Sequence, residues 1–266
     1  MYAFTYHRPT TVRQAINLLA KNEDAKLLAG GHTLLPIMKL RLASPAHLID
    51  LSRIDGLSGI ELKGRSIVIG AMTRHAEVAT SEIVRENLPA LAALAHMIGD
   101  PAVRNRGTIG GSIANNDPTA DYPAACLGLG ATIITSKRRI KADEFFKGLF
   151  ETALEPDEII TKVMFPLVKK AAYEKFRNQA SRYALVGVFA SKRGPEIRVA
   201  VTGAGANGVF RITAFEEALK KRFSPKSLEG LTVAPDGLSG DIHGSAEYRA
   251  HLIGVLARRA VAKATA

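Results

Sequence analysis

The feature that most constrains this chain is the run RGTIGGSIANNDPTAD at positions 106–121. Gly107, Gly110 and Gly111 sit there among Thr108, Ser112, Asn115, Asn116, Asp117, Thr119 and Asp121, with Ile109, Ile113, Ala114 and Ala120 as spaced apolar members. Such a segment is too polar for a core and too long for a simple turn. Loops of this length inside compact domains are usually functional. Glycines allow a close backbone approach, amides and hydroxyls can wrap a phosphate, and carboxylates can accept from sugar hydroxyls. A long surface loop of turn residues would have the same composition, and the expectation is an irregular loop over residues 99–123.

A second segment, LLAGGHTLL at positions 27–35, asks the same question. A short apolar strand ends at Gly30-Gly31, and Thr33 precedes a short helix over 34–40, with Pro36 tolerated in the first turn. Freed amides at such a junction form an anion site suited to a pyrophosphate. An ordinary Gly-Gly turn would read the same way, but two such segments in one chain strengthen the functional reading of each. A third, Gly203-Ala204-Gly205-Ala206-Asn207-Gly208, matches G-x-G-x-x-G literally. In a dinucleotide fold the helix opens within the glycines. Here Val209-Phe210-Arg211-Ile212 intervenes, so this segment reads as a strand end, a loop and then a separate helix.

The rest of the chain supplies ordinary elements. Val12, Ala15, Ile16 and Leu19 have helical spacing, and Thr10 or Thr11 can cap that helix. Strands are expected over 26–29, 47–51, 60–62, 66–70, 131–134, 158–163, 173–176 and 197–202. The stretch 184–190 is continuously apolar and fits a strand or a helix. Helices are expected from Thr73, over 88–98, from Thr213 to about 221 with a Thr213/Glu216 capping box, and over 245–264. Strands and helices mix without strict alternation, which gives an α+β class. Residues 1–55 form a βαβ-like lobe, residues 56–168 a second lobe, and residues 169–266 a further section.

Composition narrows the function. With 266 residues, 47% hydrophobic, the chain has material for a substantial core. Its single cysteine, Cys126, excludes a disulfide framework and any cysteine-rich zinc or iron–sulfur site, and it reads as an inert buried thiol. The histidines have no metal-ligand spacing, and no nucleophile-elbow or Walker A pattern is present. Net charge is +11, in short scattered runs without an aromatic stripe, so the charge reads as solvated surface and partner interface, not as a nucleic-acid face. No segment reads as a membrane span or a secretory signal, and a cytoplasmic location is expected.

Residues 29–51 (AGGHTLLPIMKLRLASPAHLIDL) and 104–124 (RNRGTIGGSIANNDPTADYPA) resemble the FAD-binding medium subunit of molybdenum hydroxylases, the carbon monoxide dehydrogenase and xanthine dehydrogenase type. The likeness continues through residues 173–188 and 245–260. It implies a two-lobed FAD domain of the vanillyl-alcohol-oxidase (PCMH) type over 1–168, and a small α+β C-terminal domain over 169–266. It also implies non-covalent FAD, with Ala29, Gly30, Gly31, His32 and Thr33, and Thr108, Ile109, Gly110, Gly111 and Ser112, around the pyrophosphate. By the same resemblance Asp117 and Asp121 take hydroxyls of the FAD chain, and Leu27, Leu28, Leu34 and Ile98 line the cofactor. Ile160 packs near the isoalloxazine, Lys175 lies near the flavin, and Tyr183 shields one ring face. Some relatives hold an additional iron–sulfur cluster in this subunit, which one cysteine does not permit here.

The expected function is electron transfer, with no catalytic residue and no metal ligand in this chain. A small [2Fe-2S] partner passes electrons to FAD and an external acceptor takes them, while a large molybdenum-cofactor partner oxidises the substrate, in a dimer of heterotrimers. The alternative is a free-standing FAD-dependent oxidase or dehydrogenase on the same fold.

Overall fold

Three larger sheets, a two-stranded hairpin and three apolar cores organise the chain, and a computed structural model describes all of residues 1–266. The first sheet is parallel, in the order β1 (Thr5–His7), β3 (His47–Asp50), β2 (Ala25–Leu28). Helix α1 (Val12–Lys21) begins at Thr11, whose hydroxyl accepts from the Gln14 amide at 3.2 Å. Its Ala15 packs with Ile49, Leu51, Ile54, Leu57 and Ile159. Helix α2 (Leu34–Lys39) leaves the end of β2 across the Gly30-Gly31 turn.

The second sheet is antiparallel, in the order β4 (Ile60–Lys63), β5 (Ser66–Gly70), β10 (Ile160–Pro166), β6 (Thr132–Thr135), β7 (Arg139–Lys141). β4 and β5, both expected as strands, form a hairpin with Gly64 at φ +57° in its turn. Between β5 and β6 run α3 (His75–Thr80), α4 (Glu82–Asn87), α5 (Pro89–His96), α6 (Pro101–Arg104), α7 (Ile109–Asn115) and α8 (Asp121–Leu129). A short helix, α9 (Ala142–Phe145), and a small hairpin, β8 (Phe146–Gly148) and β9 (Glu151–Thr152), follow β7. Ile67, Ile69, Leu91, Ile113, Tyr122, Ile133, Val163 and Phe165 are among the residues of the largest core.

The third sheet joins β11 (Lys170–Arg177), β12 (Ala184–Arg193), β13 (Glu196–Thr202) and β14 (Phe210–Arg211), all antiparallel. It carries α10 (Thr213–Lys221) and the long α11 (Ala246–Thr265), capped by Ser245. The 184–190 stretch is thus a strand. Its continuous apolar character has a simple cause: α8 lies against β12 and β13, α11 lies against β11 and β12, and both faces of β12 are therefore covered. The architecture is α+β.

Three sequence expectations need correction. Residues 99–123 are not an irregular loop: α6, α7 and the start of α8 occupy much of that span. Gly110 lies inside α7, where a Cβ would stand 2.5 Å from the Ala71 Cβ, so that glycine lets the helix pack against the turn that follows β5. The helix expected from Thr73 starts two residues later, at His75, because residue 74 is first engaged in a bridge to Thr108. The Thr213/Glu216 capping box does not form. Glu216 is buried and accepts instead from the Val199 amide (2.9 Å) and from Arg211 (2.7 and 2.8 Å). The third glycine motif behaves as its sequence suggests, with β14 between the glycines and α10.

Candidate functional site

The two glycine segments, some eighty positions apart, meet. A Cβ built on Gly30 would lie 2.3 Å from the Arg106 carbonyl oxygen and 2.7 Å from the Gly107 Cα. One built on Gly111 would lie 3.3 Å from the Ala29 Cβ. Only glycine at position 30 lets the two backbones touch. Gly31 has φ +76°, a left-handed conformation that turns the chain from β2 into α2.

The second segment is fixed from behind. The His75 amide donates to the Gly107 carbonyl (3.0 Å), Ile109 to Thr73 (3.0 Å) and Gly110 to Ala71 (2.8 Å). Thr108 caps α7, its hydroxyl accepting from the Gly111 amide at 3.2 Å. Arg104 holds the approach to this segment, donating to the carbonyls of Ile98 (3.0 Å) and Gly99 (3.1 Å).

A cavity of about 530 Å³ lies where the segments meet. Of the residues expected from sequence, its wall contains Leu27, Ala29, Gly30, Gly31, His32, Thr33 and Leu34 from the first segment. Thr108, Gly110, Gly111, Ser112, Asp117 and Asp121 come from the second, and Ile98, Ile160 and Tyr183 from elsewhere. Three expected residues lie off the wall. Leu28 packs beneath the Gly31 turn, Ile109 is fully buried in the largest core, and Lys175 stands behind Asp121.

The donors and acceptors on this wall suit an anionic, polyhydroxylated ligand. The amides of Gly30, Gly31, His32 and Thr33 donate to no protein group. The hydroxyls of Thr33 and Ser112 also have no protein partner. Asp117 accepts from the Thr119 amide (2.8 Å) and hydroxyl (2.6 Å) through Oδ1, leaving Oδ2 open. Four adjacent free amides, at a place where a side chain would close the gap, fit the diphosphate of a dinucleotide.

Asp121 is differently placed. It is buried, and it accepts from the Tyr173 hydroxyl (2.6 Å) and the Lys175 ammonium (2.9 Å), while Lys175 also donates to the Met97 carbonyl (3.2 Å). Burial pushes its carboxyl above the ordinary range, against the opposing pull of Lys175 and Tyr173. The third sheet grips the same stretch through the Thr202 hydroxyl to the Ala120 carbonyl (2.6 Å) and the Gly203 amide to that of Pro118 (2.8 Å). Tyr183 is half exposed, and burial together with the charges of Asp117 and Asp121 raises its pKa.

Sequence reasoning missed several wall residues, including Met72, His75, Val103, Glu158, Ser181 and Arg182. His75, like the other histidines, has no metal-ligand spacing that would single it out in the sequence. It arrives through the pairing of residues 74 and 108, a long-range bridge with no local signature. Ser181 and Arg182 arrive on the β11–β12 turn, where Asn178 Oδ1 accepts from the amides of Ala180 (2.9 Å) and Ser181 (3.1 Å).

A cradle of free amides and close-packed glycines marks a protein built around a large anionic cofactor. The chain belongs to the family described as the FAD binding domain in molybdopterin dehydrogenase, whose model matches residues 2–168. It is 38% identical over 274 residues to the carbon monoxide dehydrogenase medium chain of Hydrogenophaga pseudoflava, covering 97% of this chain and 96% of that one. It is 37% identical over 278 residues to the nicotine 6-hydroxylase medium subunit of Paenarthrobacter nicotinovorans, covering 99% and 98%. The solved carbon monoxide dehydrogenase of Hydrogenophaga pseudoflava lacking the Mo-pyranopterin moiety superimposes with a TM-score of 0.89 at 38% identity, over 99% of this chain and 98% of that one. Membership makes FAD the cofactor and the chain part of an oxidoreductase. No helix is long and apolar enough to cross a membrane.

Proposed function

We propose that this chain is the electron-transfer subunit of a molybdenum hydroxylase, taking electrons from the [2Fe-2S] clusters of a small partner and releasing them to an external acceptor. A large partner with the molybdenum cofactor carries out substrate oxidation, and the assembly is a cytoplasmic dimer of heterotrimers. Residues 1–168 are the two-lobed PCMH-type domain, divided near residue 55, and residues 169–266 are the C-terminal flavoprotein domain. The observation that carries this reading is the contact of Gly30 with Arg106 and Gly107, which closes two separate backbone segments on one cavity.

Bound non-covalently, FAD supplies the exchange between one-electron donors and a one- or two-electron acceptor. The residues of the chain bind and orient it. The Gly30–Thr33 amides and the Thr33 and Ser112 hydroxyls donate to the diphosphate, and Asp117 Oδ2 accepts from a hydroxyl of the FAD chain. Asp121, tied to Tyr173 and Lys175, holds the cavity wall and the third sheet together. Ile98, Ile160 and Tyr183 supply apolar and aromatic surface for the ring and limit solvent there. No side chain needs an acid–base role.

The test is FAD uptake by the purified chain. Stoichiometric FAD that is released on mild denaturation is expected, with binding lost on Gly30→Val and Asp117→Ala weaker than wild type. Protein that takes up no FAD, or that retains it after denaturation, overturns the reading.

A further inference from the structure

We propose that His75 takes a proton from solvent when FAD binds, and that the imidazolium so formed is the counter-charge of the cofactor's diphosphate. This rests on the diphosphate placement proposed above and adds a charge that the free chain does not carry there.

The cradle itself holds its ligand with dipoles. Residues 29–33 and 107–112 contain no Lys or Arg. The lysine and arginine of the cavity wall, Lys26 and Arg182, stand on β2 and on the β11–β12 turn. A diphosphate in the cradle therefore meets amides, hydroxyls and two titratable rings, His32 and His75.

His75 is built toward this place. Its ring is 5% exposed, lines the cavity and leaves Nδ1 buried without a hydrogen-bond partner. Its amide donates to the Gly107 carbonyl at 3.0 Å, and a Cβ on Gly107 would stand 2.5 Å from Nε2. Only glycine at position 107 lets the imidazole lie against that backbone. The same Gly107 Cα is 2.7 Å from a Cβ built on Gly30. With about 1.5 Å for each carbon–carbon bond, Nε2 is no more than about 8 Å from the Gly30 Cα, where the free amides begin.

The surroundings withhold a proton until an anion arrives. His32, from the turn after β2, and Arg104, from α6, both oppose a positive charge on the ring, and no carboxylate acts on it. Tyr122 of α8 meets it at 5.3 Å as a neutral phenol. Helix α5, packed on α3, is apolar up to the exposed His96, while Asp100 caps α6 from an exposed position. Glu82, Arg85 and Glu86 of α4 are exposed, and Glu77 of α3 accepts from the amide of residue 74. On the cavity wall, Asp121 is bound by Tyr173 and Lys175, Glu158 by Thr135 and Arg138, and Asp117 by Thr119. Burial and the two cationic neighbours hold the His75 pKa at about 4 in the free chain. An esterified diphosphate stays ionised through the neutral range and supplies the anion that this ring lacks, so the ring binds a proton at a higher pH.

The test titrates FAD into the FAD-free chain by calorimetry at about pH 6, in two buffers of different ionisation enthalpy, so that protons are counted. The wild type is expected to take up about half a proton or more per FAD, and to bind about tenfold more tightly at about pH 5.5 than at about pH 7.5. His75→Gln and His75→Phe should bind without uptake and with an affinity that no longer changes across that window, whereas His32→Gln should keep the uptake. ADP-ribose, with the same esterified diphosphate and no flavin, should draw the same proton. Magnetic resonance of 15N-histidine in the wild type reads the ring assigned to residue 75 directly, and should show it become imidazolium on FAD addition. FAD binding with no uptake, uptake that persists in the His75 variants, or a residue-75 ring that stays neutral overturns the proposal. Uptake with FAD but none with bound ADP-ribose instead overturns the diphosphate placement beneath it, and a chain that takes up no FAD overturns the cradle.

Discussion

Gly30 lies directly against the carbonyl oxygen of Arg106, at a separation where a single added methyl group would stand 2.3 Å from that oxygen. Backbone occupies both sides of the contact, so neither can yield as a flexible side chain would. Gly30→Ala is expected to destabilise the chain by roughly 1–3 kcal/mol through overpacking and to widen the cradle. Denaturant titration without FAD measures the first effect, and FAD affinity the second. Gly56→Ala, at a glycine with open space around its Cβ but φ +78°, is the control for backbone strain without a clash. Equal FAD affinity in both variants would remove Gly30 from the site.

Asp121 and Lys175 make a buried ion pair, with side chains 4% and 1% exposed. Removing one charge leaves the other stranded, so Lys175→Met and Asp121→Leu should each cost about 3–5 kcal/mol in urea unfolding. The double variant should recover much of that loss, because no unpaired charge remains. Tyr173→Phe removes only a hydroxyl donor to Asp121 and should cost about 1 kcal/mol. Additive losses in the double variant would contradict the pairing.

Much of this was legible in sequence, for identifiable physical reasons. The Val12–Ala15–Ile16–Leu19 stripe and the Lys63–Ser66 turn are local patterns, and both elements appear within a residue of expectation. The glycine segments advertise themselves, since glycine is selected where backbone meets backbone. What sequence concealed was the use of each glycine: Gly110 fits a helix against Ala71, whereas Gly30 lets two segments meet, and the letters do not distinguish them. The resemblance alone implies that Lys175 and Leu28 lie near the cofactor, and the burial of one side chain and the direction of the other depend on packing that the sequence does not show. Glu216 preferred Arg211 and the Val199 amide to its own helix terminus, a choice made by a strand that the local pattern does not contain.

His75 is buried behind the second glycine segment, with Nδ1 lacking a partner and its ring 5.3 Å from that of Tyr122. Burial, reinforced by the nearby His32 and Arg104, lowers its pKa to about 4, below the usual value near 6.5. Between those values the unfolded chain binds a proton that the folded chain does not. Stability from this group is therefore complete above pH 6.5 and falls as pH drops toward 4, by roughly 3 kcal/mol at most. Urea midpoints measured across that window should decline for the wild type and decline less for His75→Phe. Parallel slopes would show that His75 titrates normally.

Cys126 lies wholly inside α8, and burial pushes its thiol well above the usual range. The thiolate is the reactive form, so the folded chain should resist thiol reagents at neutral pH and react fully in denaturant. Labelling at a rate independent of folding would contradict its burial.

Asn116 ends α7 in the left-handed conformation, at φ +44°, and reaches across to the β8–β9 hairpin. Its side-chain NH2 donates to the carbonyls of Gly148 (2.8 Å) and Glu151 (2.9 Å), and its backbone carbonyl accepts from the Phe150 amide (3.2 Å). Phe150 is itself left-handed at φ +55° and exposed. The hairpin tip is thus held in an unfavourable conformation by one residue at the far end of the helix that begins at the cradle. Asn116→Ala loses both side-chain bonds and keeps the backbone strain, for an expected cost of about 1–3 kcal/mol. Asn116→Gly loses the same bonds but relieves the strain and should cost less. Phe150→Gly should raise stability by up to about 1 kcal/mol, since it removes only strain and an exposed ring. Thermal unfolding ranks the three. Equal loss in Asn116→Ala and Asn116→Gly would mean the side-chain bonds alone matter, and a destabilised Phe150→Gly would mean that the ring has a packing role in the folded chain.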